Sequence, residues 1–187
     1  AELLRRGVGK MVGQCTSPPF TLVHGDAHLD NIFFAPHFDG GCAFIDHANM
    51  LLGKPLLDVA FFLATNLEPS VRRAHEQLLL RAYYERLLAG GVSEAQYSWE
   101  QCWTDYRWAT LQCLFGYACF VAQDYAAQKA NATGAYAADE ASISKADRNL
   151  LRVYLGPGDG VTPGFNGRLV AALVDLKCDE LLRGGAE

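Results

Sequence analysis

The chain has 187 residues, half of them hydrophobic, with 11% aromatic and 20% charged residues. This composition is typical of one globular domain with a hydrophobic core, and it excludes an intrinsically disordered chain. The formal net charge is −5, and the densest basic clusters are the pairs Arg5-Arg6 and Arg72-Arg73, which argues against a nucleic-acid-binding protein.

The cysteine pattern and the hydropathy indicate a cytoplasmic protein. No Cys-x-x-Cys pair occurs among the six cysteines, which are Cys15, Cys42, Cys102, Cys113, Cys119 and Cys178. Several lie in apolar runs, so we expect reduced thiols in a hydrophobic core. Residues 1–14 contain no long apolar stretch, so no signal peptide is predicted. The nearly apolar run 108–122 is too short to cross a bilayer and predicts a buried helix, without membrane contact.

The first third of the chain predicts a short helix and then strands. Residues 1–13 favour the helix, and Pro18-Pro19 separates it from the β-prone run 20–23. Residues 31–34 and 42–45 are two further β-prone runs, and the polar turn between them contains Asp-Gly-Gly. Two short strands around such a turn predict a β-hairpin.

After Asp46 the pattern becomes helical. Apolar spacing predicts helices over 56–67, 69–89, from Trp99 to about Gln128, near 141–154 and from about Asn166 to Arg183. Ser98 with Gln101 forms a capping-box pattern before the third of these helices. A loop is predicted over 129–140 and a turn over 156–160. The predicted fold class is α+β, mostly helical, with one hairpin at the site.

Three polar residues around the hairpin suggest a catalytic site. Asp26 and Asn31 lie five residues apart on one loop, and Asp46 follows the second hairpin strand. Strand pairing brings Asp46 beside Asn31, where the two supply the hard oxygen ligands that suit Mg²⁺ on phosphate oxygens. Asp26 is left to accept a proton from a substrate hydroxyl. This combination matches the arrangement used for phosphoryl transfer.

The motifs resemble those of the aminoglycoside phosphotransferase and choline kinase group, which has a protein-kinase-like fold. The chain is most similar to its ecdysteroid-kinase-like (CHK kinase-like) branch. The resemblance rests on His24-Gly25-Asp26-Ala27-His28-Leu29-Asp30-Asn31, Phe44-Ile45-Asp46 and Gly53-Lys54-Pro55-Leu56-Leu57-Asp58-Val59-Ala60. It covers about residues 15–125 and is weaker in the helices.

The resemblance implies an ATP- and Mg²⁺-dependent kinase that phosphorylates a hydroxyl of a small molecule. It implies Asp26 as the catalytic base, with Asn31 and Asp46 holding the metal and thereby the nucleotide. Asp58 is implied as a structural brace of the catalytic loop. His28 stands where it could contact a phosphate or the substrate, or support the loop, and His24 is interpreted as support rather than as a catalyst.

The resemblance also implies that the chain is the C-terminal lobe of such a fold. The catalytic and metal loops then occupy residues 20–60, and a helical substrate subdomain occupies 61–187. A kinase of this kind also needs an N-terminal lobe with a phosphate-covering loop and a strand lysine paired with a helix glutamate. Lys10 lies in a predicted helix, so it does not fill that role. We therefore expect a fragment or truncated gene product that alone binds nucleotide weakly and turns over slowly.

Three alternatives stay open for the polar residues. The first is ordinary turn chemistry, since Asp and Asn favour loops. A degenerate kinase fold used only for binding is the second, although the retained Asp26, Asn31 and Asp46 argue against it. The third is a metallohydrolase, which leaves Asn31 and the Gly-x-Pro-x-x-Asp stretch unexplained; its metal cluster would comprise His24, Asp26, His28, Asp46 and His47.

The third predicted helix carries the features that bear on the acceptor. Its aromatic residues at helical spacing predict a core stripe rather than a substrate box, and they are Trp99, Trp103, Tyr106 and Trp108. Its acidic residues Glu100, Asp105 and Asp124 suggest a solvated face or, alternatively, a surface toward a cationic substrate. Aminoglycoside, choline-like amine, steroid alcohol and sugar alcohol acceptors all remain open, as do ATP versus GTP and the oligomeric state.

Overall fold

The computed structural model describes residues 2–131 and 164–183. Its helices are α1 (Glu2–Cys15), α2 (Leu57–Asn66), α3 (Pro69–Ala89), α4 (Trp99–Asn131), α5 (Phe165–Asp175) and α6 (Cys178–Arg183). Its strands are three residues each, namely β1 (Thr21–Val23), β2 (Ile32–Phe34), β3 (Cys42–Phe44) and β4 (Leu51–Gly53). The described part is mostly helical with two small antiparallel sheets, which confirms the predicted secondary-structure class.

The strands form two separate pairs around the site. β2 and β3 make the predicted hairpin, with Ile32 opposite Phe44. β1 pairs with β4, with Thr21 opposite Gly53. Because β1 precedes the loop 24–31 and β4 follows Asp46, this second pair closes the segment that carries all three predicted catalytic and metal residues.

Helix α2 lies at the centre of the helical body. It contacts α3, α4 and α5, and its residues Ala60, Leu63 and Ala64 are buried in the main hydrophobic cluster. This cluster continues into α4 through Tyr106 and Ala109. A helix buried on several faces is a rigid support, and α2 contacts the loop 24–31 directly through Asp58 and Asn66.

Most predicted helix boundaries agree with the structure. α3 begins at Pro69, a residue whose fixed φ suits the first helical turn. At α4, the Gln101 N–H donates to Ser98 Oγ at 3.2 Å, which is half of the predicted capping box. The Gln101 side chain donates to Asp105 instead of returning to Ser98. α4 continues to Asn131, so the loop predicted from residue 129 begins too early; the rest of that loop, the helix 141–154 and the turn 156–160 lie outside the described residues.

The single helix predicted from about Asn166 to Arg183 is wrong, because the structure divides it. Lys177 has a φ of 49°, which ends α5 and separates it from α6. Arg107 on α4 stabilises this break by donating to the carbonyls of Leu176 at 2.8 Å and Lys177 at 2.7 Å. No glycine or proline marks the break in the sequence, and the tertiary contact with Arg107 supports it.

The cysteines and the apolar run agree with the expectations where they are described. The five cysteines whose side chains are described are free; Cys102, Cys113 and Cys178 are buried, and Cys15 and Cys42 are half-buried. The run 108–122 lies within α4, and its side chains are described as far as Gly116. Across 2–131 and 164–183, no helix combines the length and apolarity needed to cross a membrane.

Candidate functional site

The loop 24–31 folds back on itself so that its two ends meet. The His28 N–H donates to Asp26 O at 2.9 Å, and the Asn31 N–H donates to His28 O at 2.9 Å. The side-chain Nδ2 of Asn31 then donates to Asp26 O at 3.0 Å and lies 3.4 Å from Asp26 Oδ2. Asn31 is buried and Asp26 half-buried. The structure therefore places the predicted base and the predicted metal ligand in contact.

Asp58, in the first turn of α2, holds the start of this loop. Its Oδ2 accepts the His24 N–H at 2.6 Å, and its Oδ1 accepts the Gly25 N–H at 2.8 Å. A carboxylate near a helix N-terminus is stabilised by the helix dipole, and hydrogen bonds to a charged acceptor are stronger than neutral ones. Asp58 therefore attaches the backbone just before Asp26 to the central helix.

His24 connects the loop to the strand that precedes Asp46. Its Nε2 donates to the Ile45 carbonyl at 2.8 Å, and its Nδ1 accepts the Asp26 N–H at 3.3 Å. Together these two bonds select the neutral tautomer with the proton on Nε2. The ring packs 5.5 Å from the ring of Phe44 and 5.0 Å from that of His47, between centroids.

Asp46 lies where the hairpin prediction places it. The Ile45 N–H donates to Asn31 O at 3.0 Å, which extends the β2–β3 ladder by one residue, and Asp46 comes next. Asp46 is exposed and has a φ of 59° in the left-handed region. That conformation costs a non-glycine residue about 1 kcal/mol and, at Asp, is tolerated where surrounding structure imposes it. The strained backbone directs the chain away from β3 immediately after the hairpin.

His28 lies between two carboxylates. Its Nε2 is 3.7 Å from Asp26 Oδ2, and its Nδ1 is 3.7 Å from Asp30 Oδ2. Asp30 is almost fully exposed, whereas His28 is about one-third exposed. The imidazole therefore stands at the surface beside Asp26, within reach of a ligand that approaches this carboxylate.

The metallohydrolase alternative finds no support in the geometry. Over the described ranges, no three His, Cys, Asp or Glu side chains converge as a metal-binding group. Both ring nitrogens of His24 already form hydrogen bonds within the protein, to Ile45 and Asp26. The five residues proposed for such a cluster are therefore not arranged as one.

A buried ion pair beside the site was not predicted from the sequence. Lys54, between β4 and α2, is 6% exposed, and its Nζ lies 3.9 Å from Asp105 Oδ2 on α4. Nζ also donates to Pro18 O at 3.3 Å. Asp105 accepts further bonds from Tyr97 Oη at 3.1 Å and Gln101 Nε2 at 2.8 Å. The lysine thus connects two segments to α4: the one around Pro18, which leads into the loop 24–31, and its own, which leads into Asp58.

This network corrects the interpretation of the acidic residues on α4. Asp105 is 2% exposed, so it lies neither on a solvated face nor toward a cationic ligand. Burial, reinforced by the Asp105 carboxylate, raises the pKa of Tyr97, which keeps its hydroxyl protonated as a donor. Glu100 is exposed, as a solvated face requires, and the side chain of Asp124 lies outside the described part.

The aromatic residues of α4 form a packed stripe, as predicted. Tyr106 and Trp108 belong to the core cluster, and Trp99 and Trp103 pack against it. Trp99 and Trp103 lie 6.3 Å apart between centroids, and the Arg81 guanidinium covers Trp99 at 3.6 Å. Because protein groups already cover Trp99, it is not an open stacking surface for a substrate.

A cavity of about 570 Å³ lies between the hairpin and helices α2 and α3. Its wall is mostly apolar and includes Leu22, Ile32, Phe34, Phe44, Phe62 and Leu79. Asp58 and His24 also line it, but their polar atoms are used in the hydrogen bonds to the loop. Asp26 and Asp46 do not belong to the described wall, so these two residues predicted for phosphoryl transfer lie outside this cavity.

Comparison with known proteins identifies the family that the chain resembles. Residues 4–93 match the model of the ecdysteroid kinase-like family. The matched segment contains the loop 24–31, the hairpin, Asp46 and Asp58, and it confirms the resemblance predicted from these motifs. The match supports a kinase-like phosphotransferase. No curated protein and no solved structure matches the chain significantly.

Proposed function

We propose that this protein transfers a phosphoryl group from ATP to a hydroxyl of a small molecule, with Asp26 as the base. The observation that carries the proposal is the contact between Asn31 and Asp26 at the open end of the hairpin, with Asp46 next to Ile45, whose N–H donates to Asn31 O. Ordinary turn formation does not require this contact, nor does it require that Asp58 hold the backbone of His24 and Gly25 just before Asp26. The family match over residues 4–93 points in the same direction.

The residues present fit a hard divalent cation. Because Nδ2 of Asn31 donates to Asp26, its Oδ1 remains available as an oxygen ligand. Asp46 is exposed and lies one residue beyond Ile45, whose N–H donates to Asn31 O. Two oxygen donors of this kind suit Mg²⁺, which usually completes its coordination with phosphate oxygens and water. When bound, Mg²⁺ would neutralise charge on the phosphates.

Asp26 and His28 supply the proton-transfer and charge-stabilising groups. The bonds from Asn31 and His28 to Asp26 O hold this residue in place, and its carboxylate, 3.4 Å from Asn31 Nδ2, is still partly accessible to an incoming hydroxyl. It orients that hydroxyl and accepts its proton as the phosphoryl group is transferred. His28, 3.7 Å away, is placed to donate to a phosphate oxygen or to the acceptor. Positioning and electrostatics provide most of the rate in such a mechanism.

The proposed acceptor is a small molecule rather than a nucleic acid or a membrane. The net charge of −5 disfavours a phosphate backbone as partner, because such partners require clustered basic residues. Asp105 is excluded as a recognition residue for a cationic acceptor, since it is buried in the pair with Lys54. The choice among amine, sugar and steroid alcohols therefore depends on other residues.

The metal assignment is tested by ADP release at varied Mg²⁺ in the protein expressed from its complete reading frame, over a panel of hydroxylated small molecules. Asp46→Asn and Asn31→Ala should each raise the Mg²⁺ concentration for half-maximal rate at least ~10-fold, because each removes an oxygen ligand. Asp39→Asn is the matched control, since Asp39 lies exposed in the hairpin turn. Activity that persists in excess EDTA would contradict the proposal, and nucleotide binding without ADP release would favour a binding protein.

A further inference from the structure

Helix α2 contacts the catalytic loop at two points, and only the first was predicted. Asp58 holds His24 and Gly25 near the start of the helix. At the other end, Oδ1 of Asn66 accepts the Leu29 N–H at 3.0 Å. Asp58 and Asn66 are separated by two helical turns, about 12 Å at 1.5 Å per residue. The loop thus lies along α2 and is attached at both ends.

We propose that Asn66 is a positioning residue that sets the metal-binding half of the catalytic loop. The inference rests on the proposed function. The Leu29 N–H belongs to the first residue of the short 3₁₀ turn Leu29–Asn31, which ends at the proposed metal ligand. Asp26 lies next to the Asp58 attachment, whereas Asn31 lies two residues beyond the Asn66 attachment. Loss of the Asn66 contact therefore affects the metal site more than the base.

The Asn66 side chain is oriented for this contact by its own hydrogen bonds. Its Nδ2 donates to Phe62 O at 3.1 Å and to Thr65 Oγ1 at 3.2 Å, which leaves Oδ1 to face the loop. An amide held by two donor contacts loses little further freedom when it accepts a third bond. The orientation of Asn66 is thus defined by α2 itself.

Arg168 on α5 secures the end of α2 that carries Asn66. Its guanidinium donates to the carbonyls of Asn66 at 3.2 Å and Thr65 at 3.4 Å, which are C-terminal carbonyls without intrahelical partners. It also forms an ion pair with Glu68 at 2.7 Å. A cation at a helix C-terminus is favourable. Arg168 therefore links α5 to the loop through Asn66.

The experiment compares Asn66→Ala with Asn66→Asp in the protein expressed from its complete reading frame. The alanine removes the acceptor for Leu29, while the aspartate keeps an acceptor oxygen. Asn66→Ala should raise the Mg²⁺ concentration for half-maximal ADP release about 3- to 10-fold, the range expected for one hydrogen bond, with kcat at saturating Mg²⁺ changed less than about twofold. Asn66→Asp keeps an acceptor for Leu29 but loses the Nδ2 bonds to Phe62 and Thr65, so its Mg²⁺ requirement should rise less than that of Asn66→Ala. Gln77→Ala, an exposed change on α3, is the control for a general helix effect.

A second measurement does not depend on activity. Hydrogen exchange at the Leu29 amide should accelerate about 3- to 10-fold in Asn66→Ala but not in Gln77→Ala. Unchanged exchange at Leu29, or a fall in kcat with an unchanged Mg²⁺ requirement, would overturn the inference. If Leu29 exchange is faster in Asn66→Ala but the unaltered protein releases no ADP, the contact between Asn66 and Leu29 is supported and the proposed function is contradicted.

Discussion

A Cβ atom placed on Gly25 would lie 2.3 Å from the main-chain oxygen of Asn49. Gly25 also has a φ of 80°, in the region that favours glycine. Asn49 belongs to the turn His47–Asn49 that follows Asp46. The loop 24–31 and the turn that follows Asp46 are thus in direct backbone contact, and the middle residue of His-Gly-Asp is the one that allows it.

Gly25→Ala should therefore abolish most activity and destabilise the fold. Two effects add, since alanine is strained at this φ and its Cβ overlaps a carbonyl that cannot rotate away. Gly40→Ala is a matched control, because Gly40 has a φ of 68° but no atom within 4 Å of its Cβ position. Gly40→Ala should lower the free energy of unfolding by about 1 kcal/mol. Gly25→Ala should lower it clearly more. Urea denaturation measures both losses. Equal losses in the two variants would contradict the close contact.

The ion pair between Lys54 and Asp105 makes a prediction about stability. Lys54→Met leaves the Asp105 carboxylate buried without its cation, which should cost about 3–5 kcal/mol of unfolding free energy. Adding Asp105→Asn to the Lys54→Met variant should recover part of this lost stability, because asparagine still forms hydrogen bonds with Tyr97 and Gln101.

An exposed pair serves as control for this ion pair. Lys177 Nζ lies 4.0 Å from Glu180 Oε1, nearly the distance in the buried pair, but both side chains are more than half exposed. Lys177→Met should therefore change stability by less than about 1 kcal/mol. Urea midpoints for the variants check this comparison. A loss in Lys54→Met no larger than in Lys177→Met would show that the buried pair contributes little.

The two loops and the hairpin were predictable because their signals are local. Two β-prone runs flank an Asp-Gly-Gly turn, and their pairing determines that Asp46 follows the partner of Asn31. β4 was not predicted, since Leu51-Leu52-Gly53 has no alternating pattern and becomes a strand through its pairing with β1. The break at Lys177 likewise depends on a distant residue, Arg107.

The supporting residues of the site were only partly predictable for the same reason. Asp58 was recognised from its motif, but nothing in the local sequence marks Lys54 as a buried cation or Asn66 as a ligand of the loop. Lysine is normally exposed, and its burial here depends on Asp105 far along the chain. An asparagine near a helix end usually indicates a cap. Such roles follow from tertiary contacts, which a pattern within one element does not contain.

The buried thiols predict a loss of stability at alkaline pH. Burial raises the pKa of Cys113 and of Cys178 from 9.0 to about 12, and that of Cys102 to about 11. Above pH 9 the unfolded chain releases these protons while the folded chain retains them, so stability is fully present below pH 9 and falls as the pH rises toward 12. Urea unfolding at pH 10 should show a loss of about 1 kcal/mol per thiol relative to pH 7.5.

Cys113→Ala isolates the contribution of one of these thiols. This variant should be less stable at both pH values, because it leaves a cavity, but its loss between pH 7.5 and pH 10 should be smaller than in the unaltered protein. A stability that is constant or rises over this interval would show that the thiols are not buried as described.

The role of Asp26 as the base is tested most directly by Asp26→Asn in the protein expressed from its complete reading frame. Asparagine keeps the shape of the side chain and its contact with Asn31 but cannot accept the hydroxyl proton. ADP release and ATP·Mg²⁺ affinity are measured for the same preparations, with Asp39→Asn as the control for an exposed Asp-to-Asn change. We expect kcat to fall at least ~100-fold in Asp26→Asn, while the nucleotide Kd stays within about threefold. Turnover near that of the unaltered protein would contradict this role of Asp26.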